Sequence, residues 1–246
     1  MNMSIQPNSP EFNIIVTLTI ALLIVKLVIS LYLGKKIIER KKETGKISYG
    51  FVTSLLVLII CLFISRIFYY QFDFVFSQMD PSTYHIFPNY ISWKIAAFIS
   101  GLGYANFIFI IDKKILGFKL KGVITYLVVI VSIVILLFPV FTPTDFETMS
   151  FLLLPINAVA IIIPIVFFYI GYKKEEWRNP AYLMAIGVIL YAIGANVLNE
   201  SLLIALDTTF GTYIRVAMFF VSLSLKTIGL VTVAYSTINF VQKFST

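Results

Sequence analysis

The sequence predicts an all-α integral membrane protein: a single seven-helix bundle over residues 1–246, N-terminus outside and C-terminus inside. Three observations carry this. The chain is 59% hydrophobic and only 13% charged, whereas soluble domains run near 45–50% apolar and about 25% charged. Apolar stretches long enough to cross a bilayer, about 20 residues each, recur seven times. The Lys and Arg residues between them are sorted by side.

The spans fall at 12–33, 50–72, 91–111, 122–141, 150–171, 180–200 and 213–240. In lipid each backbone polar group must pair within its own segment, so these are helices. The first eleven residues hold no Lys or Arg, unlike the basic start of a signal peptide, so the first span is expected to be retained. The connections after spans 1, 3 and 5 carry the basic residues: Lys35, Lys36, Arg40, Lys41, Lys42 and Lys46, then Lys113, Lys114, Lys119 and Lys121, then Lys173, Lys174 and Arg178. With Lys243 these are 14 of the 19 cations. The N-terminal tail and the connections 73–90, 142–149 and 201–212 have none, and hold Glu11, Asp73, Asp80, Asp145, Glu147 and Asp207. Basic residues in short loops stay inside, which gives the orientation and a cell-membrane location.

Aromatic residues crowd the 68–93 region, among them Phe68, Tyr69, Tyr70, Phe72, Phe74, Tyr84 and Trp93. They fit an interfacial belt, or a lid formed by the 73–90 segment. Pro155 and Pro164 fall in the fifth span, where a proline kinks a helix. Gly187 and Gly194 are one heptad apart and share a face that permits close helix approach; Gly101 and Gly103 suggest the same in the third span. Short echoes between the starts and ends of helices 1–3 and 5–7 (Lys94-Ile-Ala-Ala-Phe98 against Arg215-Val-Ala-Met-Phe219) fit a 3+1+3 arrangement, as parallel repeats give in some facilitators.

Five cations lie within spans: Lys26, Arg66, Lys94, Arg215 and Lys226. Ionisable groups at membrane depth are costly, and each is a candidate for function. Arg66, Lys94 and Arg215 sit near the outer helix ends and either snorkel to headgroups or converge with Asn157, Asn196, Asn199, Glu200 and Asp207 on an outward-facing polar vestibule. Glu200 is expected to pair with one of the three. Lys226 lies eleven residues beyond Arg215, about 16 Å along the axis, and is expected to point inward near Ser222. A mid-depth lysine in the last of seven helices resembles the retinal proteins. The likeness ends there, since no acid is placed at that depth and the sixth span has no Trp.

One cysteine, Cys61, and one histidine, His85, cannot build the usual zinc sets. No phosphate-binding loop, dinucleotide fingerprint or catalytic triad is found, so neither enzyme nor cofactor is expected. The +7 formal charge is explained by attraction to lipid headgroups, without nucleic acid. Only about six residues follow the last span, so a sensor would need a separate output partner. The leading expectation is a receptor-like or sensory module with an anionic small-molecule ligand and a cytosolic or membrane protein partner. The alternative is a small-solute transporter or facilitator.

Overall fold

The computed structural model describes residues 7, 9–45, 50–198, 202–203, 206, 209–210 and 213–244. Eight α-helices account for most of these: α1 (Pro10–Thr44), α2 (Phe51–Tyr70), α3 (Asn89–Lys114), α4 (Val123–Leu137), α5 (Pro143–Phe151), α6 (Leu154–Lys173), α7 (Arg178–Asn196) and α8 (Tyr213–Phe244). No strand occurs among the described residues. Among the described residues six helices are long and apolar enough to cross a membrane; α4 is apolar but shorter. The outward sides are hydrophobic, with Leu31, Ile130, Ile161 and Ile165 all exposed. A soluble protein rarely shows contiguous apolar surface on that scale, and here the solvent it suits is lipid.

Each long helix packs on its chain neighbours, and α8 closes the ring against α1. Cross-helix contacts fix alternating directions. Ser65 and Ser92 donate across the α2–α3 seam to Ala96 O and Phe68 O; Gly187 meets Val233 at one end of the α7–α8 seam and Gly194 meets Lys226 further along it. The connections therefore collect on two faces. One carries the Lys-rich loops and is called the basic face; the other carries Asp73, Asp80, Asp145 and Glu147 and is called the acidic face. Contacts running round the ring in chain order do not single out two three-helix units.

Three span boundaries differ from the sequence expectation, each for a local reason. Helix α1 runs on to Thr44 because the Lys-Glu segment that follows the apolar stretch is itself helix-forming, with Lys36 Nζ 2.8 Å from Glu39 Oε2 one turn on. Ser9 caps its start by accepting from Phe12 N, and Gly45 at φ 71° ends it. Helix α4 stops at Leu137 because Pro139 forces the preceding residue out of the helical region. Pro155 does not kink a continuous fifth helix. It lies in the first turn of α6, and the chain breaks there because its ring clashes with the carbonyl of Phe151 in any continuing helix. Pro164 alone is internal.

The glycine expectations translate into specific contacts. A methyl group on Gly229 would lie 2.6 Å from Gly187 O and 2.7 Å from Tyr191 N, so α7 and α8 touch backbone to backbone. Gly101 faces Ser132 on α4, whereas Gly103 faces Cys61 on α2: the two serve different neighbours.

Toward the basic face the interior is a dense apolar layer. Phe51 lies against Phe107 and Phe167, with centroids 5.4 and 5.8 Å away. Leu33, Leu55, Ile59 and Met184 are fully buried around them. Toward the acidic face, α2 widens into a π-helical turn, Gln71–Phe76. Its side chains diverge. Phe72 packs on Tyr84 and Phe146, with Trp93 against Phe146, while Phe74 packs on Phe12 and Tyr70. These aromatics pack together toward the acidic end of the bundle; Phe76 and Phe87 remain exposed.

A cationic cluster at mid-depth

The buried face of α1 repeats at alternating intervals of four and three: Ile15, Thr19, Leu22, Lys26, Ile29, Leu33. That spacing keeps one stripe toward the bundle, so the sequence places Thr19 and Lys26 inside with the leucines. On α8 the same rhythm runs through Arg215, Phe219 and Ser222 and carries Lys226 onto that stripe. Lys226 therefore faces inward, as expected from its depth.

These stripes meet α2 at Arg66. Its guanidinium donates to Thr19 Oγ1 at 3.3 Å and lies 3.5 Å from Asp73 Oδ2. Arg66 and Asp73 are seven residues apart. On a straight helix that is about 10.5 Å of rise along one face; the wider turn at 71–76 closes the gap. Lys26 Nζ donates to Leu62 O at 2.9 Å, one helical turn from Arg66. Lys226 lies within electrostatic range of Arg66, Asp73 and Lys26. Ser222, one turn before it, donates to Gly194 O at 2.6 Å. Tyr69, Tyr104 and Tyr191 complete the surround.

Arg66 and Lys226 lie near the Asp73 carboxyl, and Lys26 lies near Arg66 and Lys226. The Asp73 and Arg66 side chains stay 26% and 18% accessible. One buried donor is unspent: Arg66 Nε has no partner. An unpaired buried donor costs about 1–3 kcal/mol, so the cluster favours an acceptor there.

The remaining sequence candidates separate. Lys94 is buried, donates to Phe138 O and lies over the Tyr90 ring at 4.9 Å. Phe138 caps α4, whose 15 residues cover about 22 Å, short of a ~30 Å hydrocarbon core. Lys94 thus satisfies a helix end stranded at membrane depth, where lipid offers no donor. Arg215 is buried near the α8 start. Asn157 is exposed on α6. Asn196 is exposed too, and donates back to Ala192 O in its own helix. Neither joins the cluster. Asn199, Glu200 and Asp207 lie outside the described residues; the partner seen for Arg66 is Asp73.

Asp73, on the π-helical turn at the end of α2, lies within electrostatic range of Lys226. Asp73, the three tyrosines and Thr19 are the members sequence reasoning missed. The signal available was the seven-residue spacing of Arg66 and Asp73. No group of three or more potential metal ligands is found among the described residues. Asp112, buried at the basic end of α3, accepts from Leu120 N and Gly122 N and so anchors its own loop. No known family model matches the chain, and no curated protein or solved structure is found to be similar to it.

Proposed function

We propose that the protein is a receptor-like or sensory module that takes a small anionic ligand into the Lys26–Arg66–Lys226 cluster and reports its occupancy to a separate protein partner. The observation that supports this reading is the grouping of Lys26, Arg66 and Lys226 with a single carboxyl, Asp73, and a buried Arg66 Nε without a partner. In this reading the acidic face is outside, because the basic loops belong in the cytosol, and the ligand enters beneath the aromatic lid. The layer of Phe51, Phe107 and Phe167 below the cluster supports a site open to one side only. A facilitator needs a polar path reaching both faces, and this layer disfavours one.

Occupancy has a route to the basic face. Lys26 is on α1 and Lys226 on α8, and both helices continue past the apolar layer to the basic end. A ligand that draws the two cations together shifts the paired helix ends that a partner would read. Enzymatic chemistry gains no support, since the cluster offers cations and tyrosines but no nucleophile with a base beside it.

The test is a thermal-stability screen of the purified chain in lipid nanodiscs against small carboxylates, sulfonates and phosphates. At least one anion should raise the melting temperature saturably, matched cations should not, and Lys226→Met should abolish the shift while the protein stays folded. A stabilising anion whose effect survives both Lys226→Met and Arg66→Gln would sink the proposal.

A further inference from the structure

A second site lies on the lipid-facing surface, independent of the cluster. Helices α1 and α2 flank a groove of about 730 Å³. Its walls are Leu27, Leu31 and Ile38 on α1 and Leu56, Ile60 and Ile64 on α2. Gly34 forms part of the floor: a methyl group there would meet nothing within 4 Å. From Leu27 to Gly34, just short of Lys35, the apolar stretch covers about 10 Å, most of the ~15 Å of one hydrocarbon leaflet.

The mouth of the groove has a different chemistry. It is flanked by Lys35, Glu39 and Lys42. Glu39 is taken up mainly by Lys36 at 2.8 Å, with Lys35 further off at 3.9 Å. Lys35 remains 74% exposed. The lip is therefore net positive, directly above an apolar trough that spans most of one leaflet. A fatty chain fits the trough and a phosphate fits the lip, and they must belong to one molecule because the two zones are continuous.

We infer that the α1–α2 groove is a binding site for an anionic phospholipid, its acyl chain along Gly34 and its headgroup phosphate at Lys35 and Lys42.

The full-length chain is purified in detergent and supplied with mixed micelles of phosphatidylglycerol or phosphatidylcholine, and retained lipid is counted by native mass spectrometry. One phosphatidylglycerol should remain per chain in preference to phosphatidylcholine. Lys35→Ala and Lys42→Ala should each lower that preference about fivefold, the worth of one lysine near an anionic headgroup. Gly34→Leu fills the floor without touching protein and should remove retention of both lipids while leaving the melting temperature in lipid-free detergent unchanged. Inorganic phosphate should not compete, because it lacks the chain. Equal retention of both lipids by the wild type, or undiminished phosphatidylglycerol on Gly34→Leu, would overturn the site. Should Gly34→Leu misfold, Ile60→Trp narrows the same trough from the other wall, with the same expected loss and the same contrary result.

Discussion

Asp73→Asn is the change to which the cluster should respond most. The wild-type carboxylate lies 3.5 Å from the Arg66 guanidinium and within range of Lys226. Asparagine keeps the size and removes the charge. Arg66, Lys26 and Lys226 are then left facing one another without an acid among the described residues that surround them. Removing one partner of a fully buried pair costs about 3–5 kcal/mol. Here the side chains keep 18% and 26% accessibility, so screening reduces the figure to roughly 1–3 kcal/mol. The assay is reversible denaturant or thermal unfolding in one detergent, with Glu147→Gln as an exposed acidic-face control. The double variant Asp73→Asn/Lys226→Met separates charge imbalance from local damage. Removing a cation should recover part of the loss, giving a coupling of at least about 0.5 kcal/mol. If Asp73→Asn behaves like Glu147→Gln and shows no coupling to Lys226, the cluster does not exist as an electrostatic unit.

Gly229→Ala puts a methyl group 2.6 Å from Gly187 O; overpacking outweighs the helix-propensity gain, and a net loss of about 1–2 kcal/mol is expected. Gly34→Ala, in open space, should instead be neutral or stabilising by up to about 1 kcal/mol; the same sign for both, read by thermal unfolding, would contradict the packing. Lys94→Met strands the Phe138 carbonyl and should cost about 1–3 kcal/mol without weakening any anion response, whereas loss of the response with unchanged stability would return Lys94 to the ligand site. For orientation, single cysteines at Ser82 and Lys42 in a Cys61→Ala background should be labelled from outside intact cells at 82 only.

The helices and the two-faced sorting of charge were legible because both rest on composition over long windows. Helix ends were less so. The stop at Leu137 was written in Pro139, and the break before α6 in Pro155, but an apolar run conceals such ends from a reading by hydropathy alone. Lys226 was legible as an inward residue from its depth, whereas Lys26 was left open by its span and gains its place from the buried stripe it shares with Thr19 and Leu22. Asp73 was not legible. It belongs to a loop by charge and hydropathy, and only the π-helical turn carries it back over Arg66. Lys94, placed in the outer vestibule from its position near a helix end, reaches the Phe138 carbonyl at the end of a short neighbouring helix, a contact that its own span does not encode. The tyrosines carry no period of their own and gain meaning only from what surrounds them.

The proposed ligand site is a net-positive space that opens toward the acidic face alone. Tyr191→Cys in a Cys61→Ala background places a thiol in that space, and its modification rate in sealed vesicles of known orientation measures both properties. A negatively charged, membrane-impermeant sulfonate reagent should react several-fold faster than its positively charged counterpart of the same size. It should do so only when added on the acidic-face side, and more slowly once a stabilising anion is bound. A faster reaction with the cationic reagent, or modification from the basic face, would contradict the account.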